Sequence, residues 1–444
     1  MTSNDAAPPL RRVLGLTSAV TFGLAYMLPL TVFTTLGIAN VLSSGNLVAA
    51  YLITLLAMLF TAFSYATMVR RFPTAGSAYT FARKSFGSPV GFLTGWALML
   101  DYLLLPMLTY LVIGIYLNAA FPAVPQWVFF VGSLLLVTSL NILGIRLLTN
   151  VNIALLALQF IFIAVFIFLT FANLNGTPLP SLQEVFLNDQ ANFTAIVSAS
   201  ALLCFSFLGF DAVSTLAEET REPEKTLPRA VILVTTLAGV LFMILAAVSN
   251  IAFPDYTSYT SEDAASLDVI AAAGGQALTA FFTAAYVAGC FASVLASQAT
   301  VSRILLTMGR DRLLPKRIFG LVHKKFQTPV GAILVAAAIS FLGLLLDLTT
   351  LSTLISFGAL SAFTIVNLSV IKYLLIDQKK RGIAAILKYG VAPLIGVLLT
   401  AWLWTSLSFD ALLLGIAWIG VGVLYLAVVT RGFRRPTPDL ALDL

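Results

Sequence analysis

Twelve apolar stretches of membrane length follow one another along this chain. A helix needs about 20 mostly apolar residues to cross roughly 30 Å of hydrocarbon, and its backbone polar groups must be satisfied within the segment. The stretches lie at residues 14–40, 47–69, 89–119, 125–145, 150–174, 193–216, 229–252, 276–300, 329–346, 352–375, 388–408 and 411–430. With 59% hydrophobic and only 10% charged residues, the chain cannot form a wetted globular surface. The sequence therefore predicts an all-α polytopic membrane protein with twelve transmembrane helices.

The basic residues predict how these spans are oriented. If the tail at residues 1–13 is cytoplasmic, all 25 Lys and Arg residues fall in the two tails, residues 1–13 and 431–444, or on the cytoplasmic side of the spans. Since positive residues mark the cytoplasmic side, we predict a multi-pass protein of the cytoplasmic (inner) membrane with both termini in the cytoplasm. The net charge of +6 is then an orientation signal, and it favours contact with membrane lipids and not with nucleic acid.

The first span is interrupted within GLAYMLPLTVFTTLG, residues 23–37. Pro29 has no N–H and clashes with the carbonyl four residues earlier, so the helix is predicted to break or kink at residues 26–29. Broken backbone at membrane depth is tolerated where it lines a cavity, and transporters bind their substrates at such breaks. The alternative is a kinked packing helix, because Gly and Pro are ordinary in membrane helices.

The sixth span is interrupted in a similar way by CFSFLGFDAVSTLAEE, residues 204–219. In a five-plus-five inverted repeat, this span corresponds to the first one. Interrupted helices at corresponding positions of two halves indicate a substrate site between them. We therefore predict a first repeat at residues 14–174, a second at 193–375, and two additional helices at 388–430.

Asp101 and Asp211 are the only acids within the predicted spans, and the two spans that contain them have no Lys, Arg or His. An uncompensated charge at the bilayer centre costs about 2.5 to 3.5 kcal/mol, so such residues indicate a functional site. The two carboxyls could face a cationic ligand, or one could stay protonated by burial and release its proton. The alternatives are a structural hydrogen bond for Asp101 and a helix cap for Asp211, just after Gly209.

Other classes of function find little support in the sequence. No His, Cys or acidic residues have metal-ligand or nucleophile spacing, and the sole histidine, His323, lies in a basic loop. We therefore predict no enzyme activity, no cofactor and no metal. A channel would need a continuous polar lining, whereas the polar breaks are isolated. Ser293, Ser297 and Ser302 could form an ion site, although serine hydroxyls also bond back to the helix backbone.

Three stretches resemble the amino acid, polyamine and organocation transporter superfamily: GSAYTFARKSFG, FLGFDAVSTLAEETREPEKTLPRA and SRILLTMGRDRLLP, at residues 76–87, 207–230 and 302–315. Within it, the first and third spans are similar to those of bacterial putrescine importers. The resemblance implies a LeuT-like 5+5 inverted repeat that imports its substrate with protons by alternating access. It also implies a substrate site formed by Tyr26, Met27, Pro29, Thr31, Phe205, Ser206, Gly209 and Asp211, flanked by Asp101 and Tyr102.

The chain departs from this pattern at two places. Thr34 stands where such putrescine importers have an acid, so a second ammonium group would lose its counter-charge there. Some relatives use a lysine of the fifth span for proton coupling, and residues 150–174 contain none, which leaves Asp101 and Asp211 as candidates. We predict a secondary active transporter that imports a small putrescine-like amine, with H⁺ favoured over Na⁺ as the co-transported ion. The alternative is a proton-coupled permease for amino acids or monoamines.

Overall fold

The computed structural model describes residues 14–73, 77–144, 149–174, 181–189, 191–310, 315–323 and 325–432, and in these ranges the chain is helical with short connections. The helices are α1 (Leu16–Met27), α2 (Leu36–Leu42), α3 (Leu47–Arg71), α4 (Ser77–Phe86), α5 (Ser88–Ala120), α6 (Gln126–Leu143), α7 (Thr149–Ala172), α8 (Leu182–Phe186), α9 (Phe193–Leu203), α10 (Pro223–Ala252), α11 (Ala265–Arg310), α12 (Lys316–Phe319), α13 (Val330–Ser340), α14 (Leu348–Val370), α15 (Ile383–Ile386), α16 (Ala392–Thr405) and α17 (Phe409–Val429).

The described ranges contain eleven helices that are long and apolar enough to cross a membrane. A shorter apolar helix, Val330–Leu345, occupies the place of the ninth predicted span. The predicted all-α polytopic fold is confirmed. The predicted tail at residues 1–13, and residues 433–444 of the other tail, lie outside the described ranges.

The eighth span differs most from its prediction. Helix α11 covers Ala265–Arg310 instead of 276–300, and it is kinked at Gly274 and Gly275, where Gly275 has a φ of +66°. The kink joins a short helix, residues 265–273, to the predicted span. The apolar pattern did not reveal this extension because the short helix contains Ser266 and Asp268 and is flanked by further acids.

The first span breaks at the position that Pro29 predicts. Helix α1 ends at Met27, Leu28 has a left-handed φ of +53°, a 3₁₀ turn covers Pro29–Thr34, and α2 begins at Leu36. The hydroxyl of Thr31 donates to the Met27 carbonyl at 2.8 Å, and the Thr31 N–H donates to the Leu28 carbonyl at 2.8 Å. These bonds satisfy some of the backbone N–H and C=O groups that lose their α-helical partners at the break.

The sixth span breaks over a longer distance. Helix α9 ends at Leu203 and is followed by two 3₁₀ segments, Cys204–Phe207 and Ala212–Glu218. Between them Gly209 has a φ of +119°, a conformation that only glycine adopts without strain. The break therefore depends on a glycine at this position.

The two broken spans run in opposite directions. The N–H of Leu14, just before α1, donates to the Glu219 carbonyl at 2.9 Å, and the Arg221 N–H donates to the Leu14 carbonyl at 2.8 Å. The start of the first span thus lies beside the end of the sixth, at a face of the bundle that we call the Leu14 face. This antiparallel arrangement agrees with an inverted repeat, while the division at 14–174 and 193–375 stays a prediction.

Candidate functional site

The breaks of the first and sixth spans contact each other. A Cβ atom at Gly209 would lie 2.6 Å from Cδ1 of Tyr26 and 2.9 Å from Cγ of Met27. Helix α1 is also packed closely along its length, since a Cβ atom at Gly23 would lie 2.7 Å from a methyl group of Val213. The missing side chain of Gly209 is what allows the two breaks to meet.

Two adjoining cavities border this meeting point. The central cavity, of about 60 Å³, is lined by Tyr26, Met27, Leu28, Thr31, Thr34, Leu105, Leu108, Thr109, Val112, Phe205, Leu208, Tyr286, Cys290 and Ser293. The second cavity, of about 200 Å³, is lined by Phe22, Ala25, Tyr26, Leu28, Leu105, Leu155, Leu156, Gln159, Gly289, Ala292, Ser293, Ala296, Ser297 and Thr300. Tyr26, Leu28, Leu105 and Ser293 belong to both linings, so the cavities are neighbours.

The cavities extend to only one side of the breaks. The second cavity follows α1 toward the Leu14 face. On the α2 side, the ring of Phe33 makes edge contacts with Phe162, Phe166 and Phe282, at centroid distances of 5.2 to 6.0 Å. The hydroxyl of Tyr116 donates to the Phe33 carbonyl at 2.7 Å. This aromatic cluster packs around the broken first span on the side opposite the Leu14 face.

The residues predicted for the substrate site divide into two groups. Five of them line the central cavity: Tyr26, Met27, Thr31, Thr34 and Phe205. The other six are absent from the linings of both cavities: Pro29, Asp101, Tyr102, Ser206, Gly209 and Asp211. Gly209 packs directly under Tyr26, and Ser206 is buried in the break. The residues of the second group therefore do not contact either cavity directly.

Asp101 is buried beside the breaks without a full set of hydrogen bonds. Its side chain is 8% exposed, and its Oδ1 atom has no hydrogen-bond partner among the described residues. Helix α14 approaches closely here, since a Cβ atom at Gly358 would lie 3.5 Å from the Asp101 nitrogen. Pro106 has no N–H, so the Tyr102 carbonyl lacks its usual partner in α5. Within the described ranges, this part of the site therefore contains two acceptors without a partner, the Asp101 Oδ1 atom and the Tyr102 carbonyl.

The two membrane acids lie close enough for their charges to interact with each other and with Tyr26. They differ in their hydrogen bonds. The Asp211 Oδ1 atom accepts the N–H of Gly209 at 3.1 Å, and the Asp211 carbonyl accepts the Ser214 hydroxyl at 2.6 Å. The Asp211 side chain makes no hydrogen bond to the N–H groups of the 3₁₀ segment that follows it, so it does not cap that segment. Its bond to Gly209 leaves Asp101 as the acid with an unpartnered oxygen.

Sequence reasoning missed cavity residues on helices without an obvious break. Thr109 of α5, Gln159 of α7, and Tyr286 and Cys290 of α11 line the cavities. Tyr286 also shares a hydrogen bond with Thr34. A signal was present in α11, where small and polar residues recur at helical spacing, namely Gly289, Ala292, Ser293, Ala296, Ser297 and Thr300. Such a stripe predicts a helix face against a cavity or a close neighbour.

The three serines considered for an ion site do not act as a group. Ser293 and Ser297 line the second cavity, and the Ser297 hydroxyl donates to the Val294 carbonyl at 3.3 Å. Ser302 donates to the Gln298 carbonyl at 2.7 Å and lines a different cavity. Among the residues that the structure describes, no group of three His, Cys, Asp or Glu side chains could hold a metal ion.

Apolar helices that break around a central cavity, together with a buried acid beside the breaks, define a membrane transporter. The chain belongs to the amino acid permease family, whose model matches residues 19–429. It is therefore a transporter and not an enzyme, and amines or amino acids are its class of substrate.

Three relatives show the range of this family. The chain is 37% identical to the low-affinity putrescine importer PlaP of Escherichia coli K12, over 99% of this chain and 98% of that protein. It is 27% identical to the branched-chain amino acid permease BcaP of Bacillus subtilis, over 95% and 94% of the two chains. It is 29% identical to the chloroplastic cationic amino acid transporter 7 of Arabidopsis thaliana, over 82% of this chain and 65% of that one. The two bacterial relatives and the many apolar helices support a multi-pass protein of the inner membrane.

Proposed function

We propose that this protein imports a small organic amine, with a putrescine-like diamine as its substrate, and that protons drive the import. The observation that carries the proposal is Asp101, a buried acid with one oxygen unpartnered, next to two broken spans that contain no cation. The ammonium group of the substrate would bind the Asp101 carboxylate, and a proton carried at Asp211 would cross with it, so that an inward proton gradient drives the import. The similarity to a putrescine importer over nearly the whole chain supports a diamine.

The one-sided cavities support alternating access as the mechanism of this import. With the N-terminus in the cytoplasm, the second cavity leads from the breaks toward the cytoplasm, and the aromatic cluster closes the outer side. In this arrangement the site faces inward. Opening to the outside would separate Phe33 of the broken first span from Phe162, Phe166 and Phe282 of α7 and α11. Closing the second cavity would complete the cycle.

An amino acid is the second candidate substrate. Its carboxylate would bind N–H groups at the broken helix ends, where the helix dipole favours negative charge, and its ammonium would lie toward Asp101. Thr34 favours this candidate, because its neutral hydroxyl is shared with Tyr286 and provides no counter-charge for a second ammonium. The likeness to an amino acid permease of B. subtilis agrees with it as well.

The substitution Thr34→Asp tests how the central cavity treats a second ammonium group. Because Thr34 lines this cavity, a carboxylate there would restore a counter-charge. We expect the uptake ratio of putrescine to butylamine to rise about tenfold, which corresponds to about 1.4 kcal/mol. Competition between the two labelled amines in proteoliposomes measures this ratio. Thr34→Val is the control that removes the hydroxyl without adding charge, and an unchanged ratio in Thr34→Asp would exclude Thr34 from contact with the second ammonium.

Ligand-dependent melting of the purified protein tests the substrate class directly. A ligand that binds only the folded state stabilises it by about 2.7 kcal/mol at 100 times its Kd. We expect putrescine and cadaverine to raise the melting temperature, and the rise to be smaller at the lower of two pH values, where protons compete for Asp101. Stabilisation by amino acids or monoamines alone would contradict the diamine proposal and select the second candidate.

A further inference from the structure

A cavity of about 340 Å³, which we call the outer cavity, lies at the end of the bundle opposite the Leu14 face. It is bounded by the end of α2, the end of α10 and the segment that contains α8. Its polar lining consists of Asn40, Glu184, Asn188, Asn250 and Tyr256. None of its lining residues belongs to the central or second cavity, so it is a separate compartment.

The hydrogen bonds around Asn40 determine which way its amide points. The Asn250 Nδ2 atom donates to the Gly45 carbonyl at 3.1 Å, so the Asn250 oxygen faces Asn40. Asn40 must therefore present its NH₂ group, which donates to the Asn250 Oδ1 atom at 3.0 Å and to the Tyr259 hydroxyl at 2.9 Å. Both of its N–H donors are used. The Asn40 Oδ1 atom is left buried without a partner among the described residues, in a side chain that is 1% exposed.

The charge in the outer cavity is negative. Glu184 contributes a carboxylate, of which Oε2 accepts the Ser181 N–H at 2.7 Å at the start of α8. No Lys or Arg belongs to the described lining. A buried acceptor without a donor is unfavourable, and a ligand that donates hydrogen bonds would recover the lost energy. A primary ammonium group has three donors, no acceptor and a positive charge, and it therefore matches both Asn40 and Glu184.

We propose that the outer cavity is a second binding site, and that it takes the ammonium group of a primary amine on Asn40 Oδ1 and the Glu184 carboxylate. Asn40 belongs to α2, the outer half of the broken first span, whereas Asn250 belongs to α10 and Glu184 to α8. A bound amine therefore connects the moving half of the first span to its neighbours and stabilises the closed outer side. The identity of the amine rests on the proposed function, while the site itself does not use Asp101.

Equilibrium binding of radiolabelled putrescine to purified protein tests this site. We expect wild type to show two binding components and Asp101→Asn to retain one of them. Adding Glu184→Gln to Asp101→Asn should weaken the remaining component at least tenfold. This substitution removes the charge but preserves the cap of α8, because Gln also serves at this position of a capping box. The matched control is Asp189→Asn, which neutralises an exposed acid of the same segment outside the lining and should change nothing.

The outcomes separate this inference from the proposed function. A single component in wild type that Asp101→Asn removes would overturn the outer site and leave the proposed function intact. A remaining component that Glu184→Gln leaves unchanged would overturn the outer site as well. A single component that Glu184→Gln weakens and Asp101→Asn does not would support the outer site and contradict the role of Asp101.

Discussion

Asp101→Asn is expected to abolish amine uptake while the protein remains folded. The amide preserves the shape of the side chain but cannot carry the charge that an ammonium group or a proton requires. Removing one partner of a buried charge pair costs about 2 to 5 kcal/mol, which corresponds to a loss of about 30-fold to several thousandfold. Initial rates of putrescine uptake in proteoliposomes with an imposed pH gradient measure this loss.

The fold should tolerate this substitution because no hydrogen bond to Oδ1 is lost, and the melting temperature should not fall. Asp410→Asn is the matched control, since it neutralises an exposed acid in the first turn of α17, outside both cavities of the site. We expect it to transport as wild type does. Uptake by Asp101→Asn at the wild-type rate would remove Asp101 from the site and with it the proposed coupling.

The sequence was sufficient to predict where the chain crosses the membrane and where two of the crossings break. Span length follows from hydrocarbon thickness, so the bounds of α3 and α5 lie within two residues of their predicted values. The break of the first span follows from the missing N–H of Pro29. These features depend on local chemistry, which the chain carries in each segment by itself.

The pairing of helix faces is the part that local chemistry does not determine. Thr34 meets Tyr286, which is 252 residues away in the chain, and only the packing of α11 against the first span brings them together. For the same reason, the sequence predicts how far along its span Asp101 lies, but its position outside the cavity lining could not be deduced. The depth of a residue in the membrane depends on its distance in sequence from the end of its span. The direction in which its side chain points depends on how the neighbouring helices pack.

Asn40 of the outer cavity illustrates the same limit. It looks like an ordinary polar residue at the end of an apolar span, and its importance depends on Asn250 and Tyr259, more than 200 residues later. Gly45 belongs to the same hydrogen-bond network, because its carbonyl accepts the Asn250 amide and fixes the orientation of that side chain. An unpartnered acceptor is a property of the assembled network, so no single-segment pattern could predict it.

Gly209→Ala is expected to cause the second large loss of transport, through shape instead of charge. The methyl group would lie 2.6 Å from Cδ1 of Tyr26 and 2.9 Å from Cγ of Met27, and the φ of +119° is unfavourable for any residue with a Cβ atom. Backbone strain costs about 1 to 3 kcal/mol and overpacking a similar amount. We expect a lower melting temperature and at least a tenfold loss of putrescine uptake per folded molecule.

Two control variants separate the causes of this loss. Gly275→Ala also places a Cβ atom at a positive φ, +66°, but with no atom within 4 Å, so it measures backbone strain without crowding. Gly132→Ala, with equally open surroundings in α6, should behave as wild type. If Gly209→Ala alone loses uptake, the contact between the two breaks is required for transport. Equal losses in Gly209→Ala and Gly275→Ala would attribute the effect to strain in the backbone, and normal uptake by Gly209→Ala would mean that the breaks need not touch.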